Sequence, residues 1–112
     1  MLKLEHPTKS VVLIAPQVEE LTAANAANFR QSLLDVIEGG NTRIVIDLAK
    51  VIVVDSSGIG ALVAVMKRIG LRGDLALCGL SDRVARNFSV TRMDRVFPIH
   101  QSSDDALRAL AA

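Results

Sequence analysis

The sequence predicts an α/β domain: a mixed, mostly parallel sheet of about four to five strands carrying about four helices. Three observations lead there. Short β-branched runs alternate with segments whose apolar residues recur at three- and four-residue steps, the pattern of strands joined by crossover helices. Two strand-like runs at the start, separated by Pro7-Thr8, add one antiparallel edge. Finally, 112 residues, 50% of them hydrophobic, suffice for one core and not for two. Residues 1–112 are therefore expected to form a single domain.

Leu2 to His6 alternates weakly and reads as a first strand, and Ser10 to Ala15 as a stronger second one. Pro16 should end it, because proline offers no ladder donor. Pro16 to Leu21 is expected as an acidic loop, with Thr22 capping a first helix whose buried face is Phe29, Leu33, Val36 and Ile37. Gly39-Gly40 stops that helix. Arg43 to Leu48 is a strand, and Val51 to Val54 an extended run that ends in Asp55-Ser56-Ser57-Gly58.

A second helix follows to about Gly70, with Ile59, Leu62, Met66 and Ile69 as its core stripe. It carries little polar surface before Lys67-Arg68, so it is either deeply buried or keeps a face for a partner. Asp74 to Gly79 is a strand, and Ser81 caps a third helix in which Val84 and Phe88 are neighbours one turn apart. Val96 to Ile99 is a last short strand. A closing helix starts at Ser102-Ser103-Asp104-Asp105, acids at its positive end, with Leu107 and Leu110 inward.

Composition excludes several functions. With three Phe and no Tyr or Trp, the chain has no stacking platform for single-stranded nucleic acid. A net charge of +1 gives no global attraction to polyanions, although residues from Ser57 onward carry a balance of +3 against −2 before them. That excess, mostly Lys67, Arg68, Arg72, Arg83, Arg86, Arg92 and Arg95, reads as solvated helix faces. Cys78 stands alone in an apolar run, so it reads as a small core hydrophobe, and neither His6 nor His100 is placed to activate it. The start of the chain lacks the features of an export signal, and no apolar run approaches the ~18 residues of a membrane span. A cytoplasmic protein without direct membrane insertion and without a nucleic-acid partner is expected.

The most informative segment is Asp55-Ser56-Ser57-Gly58-Ile59-Gly60, lying where a strand-like run passes into a helix. Backbone N–H groups are unpaired at such a start, so Ser56 or Ser57 could serve simply as its cap. The same geometry would hold a phosphate on serine, facing the positive dipole end and adding roughly −1.5 to −2 charges to an exposed surface. Enzymatic readings fail. Gly58-x-Gly60 has Val63 where a dinucleotide site needs a small residue, and no acid lies near position 78 for a ribose. Neither serine has a glycine two residues before it, as a hydrolase elbow requires, and no Gly-Lys-Ser/Thr marks a phosphate loop. Two His and one Cys are too dispersed for a metal. Glu19-Glu20 is either a solvated pair favouring the first helix or an acidic contact surface.

On these residues the chain resembles the anti-sigma factor antagonists of the STAS family. The resemblance runs end to end: the initial hairpin, Thr22-Ala23 at the first helix, Val51 to Val54 leading into Asp55 to Gly60, Ser81 to Val84, Phe88 and the closing helix. It implies a STAS-like domain that binds a serine kinase/anti-sigma factor while unphosphorylated and is released when Ser56, the first serine after the aspartate, is phosphorylated. A serine phosphatase then restores binding, and ATP belongs to the partner, so no cofactor and no catalytic residue are implied. The partner-binding residues it implies are Glu19, Asp55, Ser56, Ser57, Gly58, Ile59, Gly60 and Val63. Two departures stand out. Pro16-Gln17-Val18-Glu19 replaces a Gly-x-Leu-Asp-like segment, and Thr91-Arg92 replaces a common Ser-Gly pair. The alternative function is a STAS scaffold, or an accessory subunit of a transport or signalling complex, that is never phosphorylated.

Overall fold

The computed structural model describes residues 1–111. Its strands are β1 (Leu2–Glu5), β2 (Val12–Pro16), β3 (Glu20–Leu21), β4 (Arg43–Asp47), β5 (Val53–Val54), β6 (Asp74–Cys78) and β7 (Ile99–His100). Its helices are α1 (Ala26–Glu38), α2 (Ser56–Ile69), α3 (Asp82–Val90) and α4 (Ser103–Ala111). Five strands form one sheet in the order β1-β2-β4-β6-β7. The β1–β2 pair is antiparallel, and the other pairs are parallel. The expected mixed sheet, its single antiparallel edge and its four helices are all present.

Period-two alternation splits the core between the two sheet faces. Val12, Ile14, Ile44, Ile46, Leu75 and Leu77 pack with the buried residues of α1, α2 and α3. On the other face Val11, Val45 and Cys78 pack against Ala106, with Leu13, Leu107 and Leu110 at the margin. A fully aliphatic Ile-Val-Ile run in β4 thus serves both layers, as a central parallel strand must. Burial pushes the Cys78 thiol up to about 12, with Asp47 adding to the effect, so the thiol stays protonated and inert.

Several expectations are corrected. The stretch expected as a loop contains β3, which pairs in parallel with β5 as a separate two-stranded sheet. Pro16 does not lie beyond the second strand but closes it, opposite Leu2. Pairing with β4 ends at Ile14, so the missing proline N–H costs no bond there. Thr22 is not the helix cap: α1 begins at Ala26 behind Asn25, and the Asn25 amide oxygen instead accepts the Thr22 N–H at 3.0 Å. The last strand is Ile99–His100, because Met93–Arg95 forms a 3-10 turn and Phe97 turns inward onto Phe88, with ring centroids 6.1 Å apart. Arg92 takes the left-handed conformation at φ 60°, a region that favours glycine.

The stripe of α2 is also rotated. Its buried residues are Gly58, Ala61, Leu62, Val65 and Ile69, whereas Ile59 and Met66 are only half-buried. Small residues at 58 and 61 let the helix approach its neighbours more closely than a line of Ile and Met would. Ile59, Val63 and Met66 therefore lie along its flank, packed against the core but partly open.

Candidate functional site: the start of the second helix

Asp55 organises the site. It has extended backbone angles, φ −96° and ψ −174°, and stands as the N-cap of α2. Its Oδ1 accepts from the Ser57 N–H at 2.9 Å and the Gly58 N–H at 3.0 Å. Its Oδ2 accepts from the Ala23 N–H, 3.1 Å away in the turn before α1. The cap is thus neither Ser56 nor Ser57, the two residues the sequence left open. A carboxylate satisfies two helix donors at once and carries the charge that the dipole end prefers.

The Gly58 N–H leads the causes holding the Asp55 carboxyl below its ordinary value of 3.8, with the Ala23 and Ser57 N–H groups adding to it. A depressed folded value means that stability from this group is present above 3.8 and is lost as pH falls through the folded value. Asp55→Asn should therefore lower stability by a constant amount above about pH 5, with the gap to wild type closing in more acidic solution. Urea denaturation at stepped pH measures it. A gap that widened on acidification would contradict the capping role. Ser56→Ala and Ser57→Ala, by contrast, should each stay within about 0.5 kcal/mol of wild type.

The segments on either side lock this cap in place. The Glu19 carbonyl accepts from the N–H groups of Ile52 at 2.7 Å and Val53 at 3.1 Å, and the Leu21 carbonyl from that of Asp55 at 3.1 Å. From α3, the Asn87 side-chain amide donates to the Val54 carbonyl. Asn25 ties the approach to α1 by donating to the Glu20 carbonyl at 2.8 Å. The stretch before α1 and the stretch before α2 are thus zipped into one unit.

Of the residues implied as partner-binding, Glu19, Ser56 and Gly60 are exposed; Asp55, Ser57, Ile59 and Val63 are half-buried; Gly58 is buried. Gly58 cannot present a surface. A methyl group there would collide with the Leu21 carbonyl oxygen and crowd Val54 Cγ1 at 3.0 Å, so this glycine serves the close approach of β3 to α2. Ser57, Gly60 and Ala61 face Ala23, Ala26, Ala27 and Arg30 across an open depression of about 420 Å3 between α1 and α2. Ser56, exposed at the head of the helix, is not part of that lining.

No local pattern marks Ala23 as a donor to Asp55, since its contribution is a backbone N–H 32 positions away, nor Asn87, which lies on a different helix 33 positions from the Val54 carbonyl it holds. Asn25 could have been found, since asparagine just before an apolar helical run is a favoured N-cap residue. No group of His, Cys, Asp and Glu among the described residues could hold a metal ion, and no helix among them is long and apolar enough to cross a membrane.

Comparison with known proteins agrees with this fold. The STAS domain family model matches residues 3–106. A candidate anti-sigma factor antagonist of Thermotoga neapolitana is 31% identical over 101 residues, covering 88% of each chain. BtrV of Bordetella bronchiseptica, also a candidate anti-sigma factor antagonist, is 28% identical over 109 residues, covering 96% of this chain and 94% of its own. The solved anti-sigma-factor antagonist (STAS) domain protein of Planctomyces limnophilus superposes with a TM-score of 0.88 at 28% identity, covering 99% of this chain and 98% of that one. With the family model spanning residues 3–106 and the fold in agreement, this chain belongs to the STAS domain family.

Proposed function

We propose that this chain is an anti-sigma factor antagonist that works in the cytoplasm as a phosphorylation-controlled binding switch, with no catalysis of its own. The unphosphorylated form binds a serine kinase that is also an anti-sigma factor. Within that complex the Ser56 hydroxyl attacks the γ-phosphorus of the kinase's ATP, loses its proton, and leaves ADP and a phosphoserine. The complex then dissociates, and a serine phosphatase hydrolyses the ester and restores binding.

The observation that carries this reading is the division of labour at the helix start. Asp55 supplies the cap, while Ser56 is exposed at the first position of α2. A phosphate there needs no rearrangement of the fold. It also finds the Ser57 and Gly58 N–H groups already taken by Asp55, so its charge projects outward beside a second anion. A partner seated over α2 then meets two adjacent negative groups, and like charges brought together at an interface cost several kcal/mol. The similarity to candidate antagonists over nearly the full chain supports the same function.

Mass spectrometry after incubation with ATP and the serine-kinase fraction of the source cells should show one phosphate, on Ser56. Ser56→Ala should keep partner binding and lose its regulation. A phosphate on Ser57 would overturn the assignment to Ser56, and a chain that binds its partner yet is never labelled would favour the constitutive scaffold instead.

A further inference from the structure

The outer face of α3 continues the surface at Ser56. Arg83, Arg86, Asn87 and Val90 recur at the spacing i, i+3, i+4, i+7 and so form one ridge, while Val84 and Phe88 are buried. At its upper end Arg83 and Asn87 border Ile52, Val53 and Val54 around a depression of about 230 Å3, immediately before Asp55 and Ser56. At its lower end Val90 is 77% exposed, and beside the upper end Ile52 is 46% exposed. Neither Arg83 nor Arg86 is paired with a carboxylate among the described residues, whereas Arg43, Arg68 and Arg108 each are.

We infer that the partner's contact surface extends from Ser56 across Ile52 onto this ridge, where Arg83 and Arg86 receive an acidic, partly apolar segment of the same partner. The inference rests on the proposed function for the identity of that partner. Charge complementarity selects its chemistry. Two unpaired guanidinium forks one helical turn apart suit a run of carboxylates. The apolar side chains at either end suit a protein surface rather than a polyanion, since arginine together with exposed aliphatic contact is typical of protein interfaces. Nucleic acid fits poorly, because two cations fall short of the roughly 6–10 phosphate contacts such binding uses. Asn87 ties the ridge to the strand leading into the switch through its bond to the Val54 carbonyl.

Photo-crosslinking in the source cells tests this with the full chain. One variant carries Val90→p-benzoylphenylalanine, on the ridge; another carries Ala27→p-benzoylphenylalanine, in the depression beside Ser57. Both should capture the same protein, and the peptide joined to position 90 should be rich in Asp and Glu. Adding Arg83→Glu with Arg86→Glu should abolish the adduct at 90 and weaken capture at 27 roughly ten-fold, with an unchanged melting temperature because both arginines are exposed. Capture at 27 without capture at 90, an adduct that survives the charge reversal, or an adduct to nucleic acid or lipid would overturn the inference. If both positions capture one protein that does not phosphorylate Ser56, the ridge stands and the phosphoswitch falls. Capture from neither position overturns both.

Discussion

Gly58→Ala is expected to destabilise the domain by about 1–3 kcal/mol, read as a lower urea midpoint at unchanged slope. In an exposed helix the same change would be favourable by about 1 kcal/mol, because alanine restricts the unfolded chain and glycine does not. Here the added methyl runs into the Leu21 carbonyl oxygen, and also lies 3.1 Å from its carbon and 3.0 Å from Val54 Cγ1. The obstacle is backbone, not a side chain that can swing aside. That backbone is held on two sides, by the pairing of Leu21 with Val54 and by the Asp55 N–H. Relief would require β3 and α2 to part, which loosens the cap that Asp55 makes across them. Gly60 provides the control. It is exposed in the same helix, with nothing within 4 Å of an added methyl, so Gly60→Ala should be neutral or stabilising. Equal effects at the two positions would show that Gly58 is not the close-packing point described.

Ser56→Asp is expected to lower partner affinity by roughly 100-fold while leaving the melting temperature essentially unchanged, the affinity loss following from like charge placed at an interface. The two halves have separate causes. Stability is kept because an acid in the first turn of a helix interacts favourably with the dipole, by about 0.3–1 kcal/mol when exposed. Binding is lost because the new carboxylate stands next to Asp55, which is already fully ionised at neutral pH, its carboxyl held below 3.8. Calorimetry against the kinase, with thermal denaturation of the same samples, separates them. A variant that bound poorly because it had unfolded would contradict the placement of Ser56 at the helix start.

Much of this was legible in the sequence, for identifiable reasons. Ser81 was found as a cap because its side chain accepts from the Val84 N–H three residues on, an entirely local arrangement. Val84 and Phe88 were found because a one-turn spacing of large apolar residues has few uses other than burial. The cap of α2 was misplaced on a serine because Asp55 also reads as the last residue of an extended run. Its third bond, to Ala23, comes from a residue 32 positions away that no local pattern marks. The short β3 was missed because a two-residue strand that starts on an acid and follows another carries no alternation to detect. The stripe of α2 was rotated for a related reason. Sequence patterning weights large side chains, whereas contact at Gly58 and Ala61 is made by their absence.

Those corrections sharpen the candidate site. If either serine were the cap, phosphorylation would have to break a bond that holds the helix. With Asp55 in that position, Ser56 is exposed and its side chain holds neither of these cap bonds. Glu19, exposed where its carbonyl anchors Ile52 and Val53, borders the same surface from the side of the altered Pro16 to Glu19 stretch.

The most direct measurement is a calorimetric titration of the partner kinase with two preparations of the chain, one unmodified and one carrying a single phosphate on Ser56. The account predicts saturable one-site binding by the unmodified chain, and at least a roughly 100-fold weaker interaction for the phosphorylated chain, by the same charge argument. Both preparations should melt at the same temperature. Equal affinity of the two forms would contradict it.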